Sequence, residues 1–512
     1  MIPSSAENRA VKIAAVNGLS SILTIAVQLI TVPICLKYWG KDTYGLWLAL
    51  LSAVAILQTT GIGFVNYVGN KINLLYHQDQ TSLQVTLASS LVGLFFLAGV
   101  QLILAIAVIG FDVLPVLFGT AESDLDPLNA NLSFFLLVVS WVLGRFHIGI
   151  IHRLLIPAGL MYEAAWWALG SQLSLFSVVI ISAFFQLALL QTSALYGLIQ
   201  FLFAVVSASY IRFKLPDYYP WWIGFNFAHG LHDLLRSVPL SVSGIIQQGT
   251  SSGLIVLISA VAGAAAVPVF TTVRTLTNLW TNVTNVLTTP FLPDVVRFQA
   301  KGEGRKLIAL HQAHLVIVGA VVNLSILLAY PLIEIFYEYW TSNAVVLDRV
   351  LLCTLLASVS LINLGAMMNT FLTGINHQKS IVATTISRSS VSLAFGGLML
   401  TYFGVGGLGL GILAGELAAT VFLIYFFNQT VRLHPDIKFN WRVLGPALLS
   451  VTSVQVYFGI EVIATNTKTI MYPLALIFVL IGTLSGWSHL DLEIRTRMIR
   501  LLGKGFRMKG IE

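Results

Sequence analysis

The chain has 512 residues, of which 57% are hydrophobic and only 10% charged, and its mean hydropathy is +0.86. A soluble domain is roughly 45–50% apolar and about 25% charged, so these side chains cannot coat several water-soluble globules. That excludes a disordered, fibrous or nucleic-acid-binding chain and disfavours a soluble enzyme. The net charge of +7 is spread thinly between apolar runs. It fits basic cytoplasmic loops better than a nucleic-acid face. The two cysteines, Cys35 and Cys353, lie inside apolar runs and offer neither a disulfide framework nor a zinc cluster.

Arg9 and Lys12 precede an apolar run that is too long for the roughly 7–15-residue core of a signal peptide. It is expected to stay as a first transmembrane helix. A spanning helix takes about 20 mainly apolar residues. By that measure, spans are expected near residues 13–36, 44–68, 83–110, 132–151, 164–186, 190–211, 237–261, 265–291, 307–331, 346–372, 380–402, 407–427, 442–460 and 470–487. The predicted fold is therefore an all-α polytopic membrane protein of about fourteen helices. With the N-terminus inside, most of the 28 basic residues fall on the cytoplasmic side, Arg388 among them. Lys37, Lys41 and Lys468 fall outside, and the outer loop Phe111–Asn131 carries Asp112, Glu122, Asp124 and Asp126 but no Lys or Arg. Both termini are then expected in the cytoplasm.

The connection Arg212–Arg236 holds Pro216, Pro220, Trp221, Trp222, Phe225 and Phe227, residues suited to the membrane interface. It divides the chain into an N-terminal lobe over 1–212, a linker over 213–236 and a C-terminal lobe over 237–430. Residues 431–487 add two helices, and 488–512 form a basic tail. Gly40 and Gly263 occupy matching turns before helices 2 and 8. Repeated halves around a midplane site are a common transporter plan.

Polar side chains inside spans are costly and usually face a cavity or the bundle interior. In helix 8, Thr271, Arg274, Asn278, Thr281, Asn282, Asn285 and Thr289 recur every three or four residues, which puts them on one face. Arg274 near mid-bilayer costs about 2.5–3.5 kcal/mol on insertion scales, so it needs water, a partner or an anionic ligand. Helix 1 carries Asn17, Ser21, Thr24, Gln28 and Thr31, and helix 7 carries Gln247, Gln248, Ser251 and Ser252. Together they suggest a hydrophilic path, although Ser and Thr also serve tight helix packing. Glu416 reads as the single carboxylate well inside a span. It is a candidate coupling group or simply a residue bonded to a neighbouring helix. Arg145, His147, His152 and Arg153 cluster at the cytoplasmic end of helix 4, where phosphate attraction and positive-inside anchoring are both open readings.

Three patterns carry no chemistry. Gly404–Gly409 matches G-x-G-x-x-G, but it lies in an outer turn rather than after a strand of a βαβ unit. The chain has no phosphate-binding G-x-x-x-x-G-K-[ST] motif. His311 and His314 have no acidic or thiol companions that would make a metal site.

Gly40-Lys41-Asp42-Thr43-Tyr44-Gly45-Leu46-Trp47 resembles the G-x-x-x-Y-G-x-W signature of Wzx-type polysaccharide flippases. Gly61-Ile62-Gly63 with Asn66, Asn70 and Lys71, the Tyr162-Glu163 entry followed by Trp167, Gly170 and Ser171, and Leu372-Thr373-Gly374-Ile375-Asn376 resemble later segments of that family. The resemblance covers most of the chain and implies the multidrug/oligosaccharidyl-lipid/polysaccharide exporter superfamily. The fold it implies is two six-helix lobes in a V around a central cavity, plus two C-terminal helices. The activity it implies is movement of undecaprenyl-diphosphate-linked oligosaccharides to the outer leaflet of a bacterial inner membrane, beside the polysaccharide polymerase machinery. Arg274 matches a cationic cavity position of that family. The family often has Asp where Thr59 stands here, which weakens ion coupling at that site. No cofactor is implied, and coupling to H+ or Na+ is left open. The rival readings are a cation-coupled multidrug antiporter of the same superfamily and a membrane-embedded polysaccharide polymerase.

Overall fold

The structure is a computed structural model. It describes residues 23–76, 78–118, 127–288, 295, 298, 303–374, 377–432, 441–463 and 468–490. The helices are labelled in chain order: α1 Leu23–Tyr38, α2 Gly40–Leu75, α3 Gln80–Gly110, α4 Leu128–Leu155, α5 Met161–Phe184, α6 Leu189–Lys214 and α7 Phe227–Ala262. They continue with α8 Ala266–Thr288, α9 Gly304–Thr341 and α10 Arg349–Gly374. The helical stretch Gln378–Arg432 breaks at Gly404 (φ 61°, ψ −151°) into α11 (378–403) and α12 (405–432). Trp441–Ile463 is α13 and Lys468–His489 is α14. A short helix, Val113–Phe118, follows α3.

Eleven of these stretches are long and apolar enough to cross a membrane by length and composition. Dividing one of them at Gly404, and adding α1 and the more polar α8, reproduces the fourteen expected helices. All-helical architecture follows from the solvent. In hydrocarbon each backbone N–H and C=O must be bonded within its own segment, and an α-helix does this.

The helices outrun their apolar cores. α2 continues to Leu75 and α7 begins at Phe227, beyond the expected limits of 68 and 237, because Asn and Lys do not stop a helix. The turns depend on glycine where φ is positive. Gly40 (φ 75°) opens α2 and Gly263 (φ 82°) precedes α8, a conformation open to glycine at no steric cost. Asp79 caps α3, accepting from Thr81 N at 3.0 Å, Ser82 N at 3.1 Å and Ser82 Oγ at 2.5 Å. The Ser82 hydroxyl, then the backbone N–H groups, hold its carboxyl below the ordinary carboxylate range. The capping contribution is therefore present near neutral pH and lost as pH falls through the lowered value.

The chain forms two compact units. Unit 1 is Met1–Thr272 with Tyr339–Val346, and unit 2 is Val273–Glu338 with Leu347–Glu512. α7 thus belongs to unit 1, whereas the expected C-terminal lobe began at residue 237. The reason is close packing. A Cβ at Gly63 of α2 would meet the backbone of Ser241 in α7, so the two helices touch backbone to backbone. In unit 1, Phe64, Val68 and Ile72 of α2 pack with Leu83 and Leu87 of α3 and Leu154 of α4. In unit 2, Leu307 and Ile308 of α9 meet Met367 and Phe371 of α10 and Phe427 of α12. The acidic residues Glu122, Asp124 and Asp126 lie outside the described residues.

Apolar burial discriminates little between helix partners when lipid is equally apolar, so close approach decides which helices pair. The α11–α12 hairpin shows this, since a Cβ on Gly411 would run into Gly396 Cα and N. In a helix interior Gly→Ala gains about 0.5–1 kcal/mol of propensity. Overpacking against backbone costs typically about 1–3 kcal/mol. Gly411→Ala should therefore lower the thermal stability of the purified protein, whereas Gly459→Ala in α13, with no atom within 4 Å of its Cβ, should leave it unchanged or raise it. Equal melting temperatures for the two variants would contradict the packing argument.

Candidate functional site

α8 is divided lengthwise. Thr272, Val273, Leu276, Thr277, Thr284 and Thr288 are buried, while Asn278 and Asn285 are exposed and Arg274, Thr281 and Asn282 are partly exposed. The buried threonines turn their hydroxyls onto the helix's own carbonyls, as Thr272 does to Pro268 O at 2.6 Å. Trp280 donates to Ser325 of α9 at 3.1 Å, and Thr288 meets His314 at 2.8 Å. Asn278 and Asn285 thus stand on the side of α8 away from its buried residues, with Arg274, Thr281 and Asn282 partly covered. In a spanning helix such a face suits a watered cavity far better than lipid. Arg274, Asn278, Asn282 and Asn285 all lie in unit 2.

The other expected path residues lie in unit 1. In α1, Gln28 is partly buried, and its neighbour Thr24 donates to Gln172 of α5 at 3.2 Å. In α7, Gln247 is exposed, and Gln248 donates to Ser252 at 2.9 Å. Asn17 and Thr289 lie outside the described residues, and the side chain of Arg145 is not among those described.

Glu416 on α12 is 7% exposed and pairs with Arg388 Nε on α11 at 2.9 Å. Its second carboxylate oxygen is buried with no hydrogen-bond partner. Arg388 sits ten residues into α11, about 15 Å along a helix rising 1.5 Å per residue. That is about half the thickness of a hydrocarbon core. The α11 backbone is already helical from residue 378, so Arg388 stands within the helix and not in the loop before it. Two further carboxylates are buried near helix ends rather than well inside a span. Asp233 of α7 is 2% exposed and Glu461 of α13 is 8% exposed. Both were hidden by helix ends that extend past the apolar runs.

Asp233 accepts from Lys71 Nζ of α2 at 2.8 Å on each oxygen, and Lys71 also meets His229 Nε2 at 2.8 Å. Glu461 accepts from the Tyr330 hydroxyl at 3.0 Å. It lines a 310 Å³ pocket with Tyr457, Tyr472 and the Arg349–Glu334 pair. Arg153, at the end of α4, donates to the Asn66 side chain of α2 and lies over Gly69. His311 stacks on Phe427 with ring centroids 4.8 Å apart. Among the described residues no three His, Cys, Asp or Glu gather as a metal site. Gly404 begins the turn into α12, as the dinucleotide-motif decoy was expected to do.

No family model matches this chain, and no curated protein matches it by sequence. Solved structures do match. A lipid II flippase MurJ in an inward closed conformation aligns with a TM-score of 0.65 at 13% identity, over 91% of this chain and 96% of that one. An inward-facing multidrug resistance MATE family transporter of the MOP superfamily aligns with a TM-score of 0.61 at 15% identity, over 80% and 95%. A MOP superfamily transporter from Pyrococcus furiosus aligns with a TM-score of 0.51 at 15% identity, over 84% and 96%. The chain has the fold of MOP-superfamily transporters and is a multi-pass membrane protein.

Removing one member of a buried ion pair strands the other charge, at about 3–5 kcal/mol when both are fully buried. Arg388 is 37% exposed, so Arg388→Met should cost on the order of 2 kcal/mol. Adding Glu416→Gln should recover most of that loss. Thermal and denaturant unfolding of the purified single and double variants measures the coupling, and purely additive losses would contradict the pair.

Proposed function

We propose that this chain is a Wzx-type flippase that carries undecaprenyl-diphosphate-linked oligosaccharide repeat units from the cytoplasmic to the outer leaflet. The observation that carries this reading is the polar face of α8, where a partly exposed Arg274 shares one side of the helix with Asn278, Asn282 and Asn285. A glycan cannot cross hydrocarbon unless its hydroxyls are hydrogen-bonded. Amides supply those bonds. A guanidinium suits the diphosphate, since its planar fork matches phosphate oxygens. The polyprenyl chain needs no polar path and stays in lipid. The two cytoplasmic termini, the bacterial inner membrane and the companion polymerase machinery belong to this proposal. So does alternating access in which Gln28, Gln247 and Gln248 contribute from unit 1. Glu416 is the group to which this reading assigns H+ or Na+ coupling.

The MATE-like neighbour keeps a multidrug antiporter as the second reading. A cationic drug calls for carboxylates on the path. Among the described residues α1 and α8 carry none, and Asp233 of α7 is held by Lys71.

The proposal is tested in cells by labelling lipid-linked oligosaccharides by leaflet. Arg274→Ala at unchanged protein level should leave them on the cytoplasmic leaflet and cut surface polysaccharide by about tenfold or more, the scale of one lost charged contact. Normal surface polysaccharide in that variant would remove Arg274 from the mechanism. Drug resistance conferred by the wild-type chain without any glycan phenotype would favour the antiporter.

A further inference from the structure

Within unit 1, a cavity of about 380 Å³ lies among α2, α4, α5 and α6. Its lining mixes apolar side chains with several polar ones. His152 and Arg153 come from α4, Ser171 from α5, and Gln200 and Ser207 from α6, with Trp167 beside them. The sequence permits this opening because α4 is irregular there. It passes through a π-helical turn at Val142–Phe146 and ends in a 3-10 turn at His152–Leu155. Gly144 and Gly149 face the same space.

Arg153 is the informative residue. Its guanidinium gives a hydrogen bond to the Asn66 side chain, yet among the described residues no carboxylate lies within ion-pairing distance of it. Five N–H donors with one amide acceptor leave most of the fork unanswered. Glu163 stands near the cavity's end, a turn before Trp167. Its carboxylate is already engaged by the Tyr210 hydroxyl and by Lys214 at 3.6 Å. The Gln200 residue is buried, and its amide makes no side-chain hydrogen bond among the described residues. His152 meets Ser207 Oγ at 3.1 Å, which fixes the ring at the wall. A cation and unspent donors around a partly open cavity suit an anion with several acceptor oxygens.

We propose that this cavity binds a phosphate group, with Arg153 as the charged anchor and Gln200 as a second donor. All of the cavity's lining residues belong to unit 1. Two sources of phosphate fit the chemistry: a phospholipid head group entering from the bilayer, or a free phosphate ion. Val142, Leu143, Ile150 and Ile151 of the same stretch of α4 line an apolar groove of about 270 Å³ with Leu91 and Trp221, which offers a hydrocarbon chain a nearby course.

The test uses the full-length protein in detergent, titrated calorimetrically with inorganic phosphate in one arm and with short-chain dihexanoyl phosphatidic acid in the other. Saturable binding of either probe is expected in the wild type. Loss of the anchor in Arg153→Gln should weaken it by about tenfold or more, and Gln200→Leu by a smaller factor. Lys214→Gln, outside the cavity lining, should leave it within twofold. Binding of phosphatidic acid alone assigns the site to lipid, and equal binding of inorganic phosphate assigns it to a free ion. If Arg153→Gln does not purify as a folded protein, Gln200→Leu carries the test, since its change is nearly isosteric. No saturable binding, or unchanged affinity in the cavity variants, overturns the proposal. Neither result bears on α8, whose reading is tested by Arg274→Ala.

Discussion

A charge carried into hydrocarbon has to find a partner or water, and the arrangement of this chain follows from that constraint. Backbone groups meet it by forming helices, which is why the described residues are so largely helical. Hydroxyls meet it locally, by bonding to carbonyls three or four residues back, as Thr272, Ser358 and Thr420 do. Long polar and charged side chains cannot satisfy themselves this way. They must reach across to another helix or open onto a cavity. Each ionisable residue inside this fold therefore reports what lies beside it.

The deep arginines answer the constraint differently. Arg388 is neutralised by Glu416 on the next helix. A pair of this kind attracts strongly at low dielectric but carries a large desolvation cost, so it is weak evidence for stability as such. It makes better sense as a registration device, or as a charge that can be exchanged. Arg153 meets an amide and a cavity instead of a carboxylate. Arg274 rides on a helix whose companion amides face away from the packed side. A cation with an acid beside it is suited to structure or coupling. A cation such as Arg153, with an amide rather than an acid beside it, is suited to an anionic ligand.

Much of this was legible in the sequence. The fourteen helices could be counted because the apolar runs are about as long as a bilayer is thick. The turns at Gly40, Gly263 and Gly404 could be placed because positive φ favours glycine. The α8 stripe was legible because a three-to-four repeat survives in any helix. What was not legible has one physical cause. Hydropathy marks where a helix is apolar, not where it ends. Asp233 and Glu461 were hidden by this effect at the ends of α7 and α13. Arg388 stands among Ser and Thr, and nothing local announces its pairing with Glu416 on the next helix. The packing of α7 on α2 depends on Gly63 meeting Ser241, a contact between residues far apart in the chain that no local pattern announces.

The same reasoning separates two kinds of polar residue that look alike in the sequence. Lys71, His229 and Asp233 form a closed set, in which Asp233 accepts on both oxygens and is almost wholly buried. Such a set locks α2 to α7 and leaves little for a ligand to engage. The Asn278, Asn282 and Gln200 amides are at the other extreme, carried on helices yet making no side-chain hydrogen bond among the described residues. Binding a polar molecule inside a membrane requires donors that are already desolvated and positioned, so that little further cost falls on the encounter. An open face on a packed helix meets that requirement. Under the two proposals above, the polar face of α8 and the α4–α6 cavity, rather than the number of charges in the chain, supply the ligand chemistry.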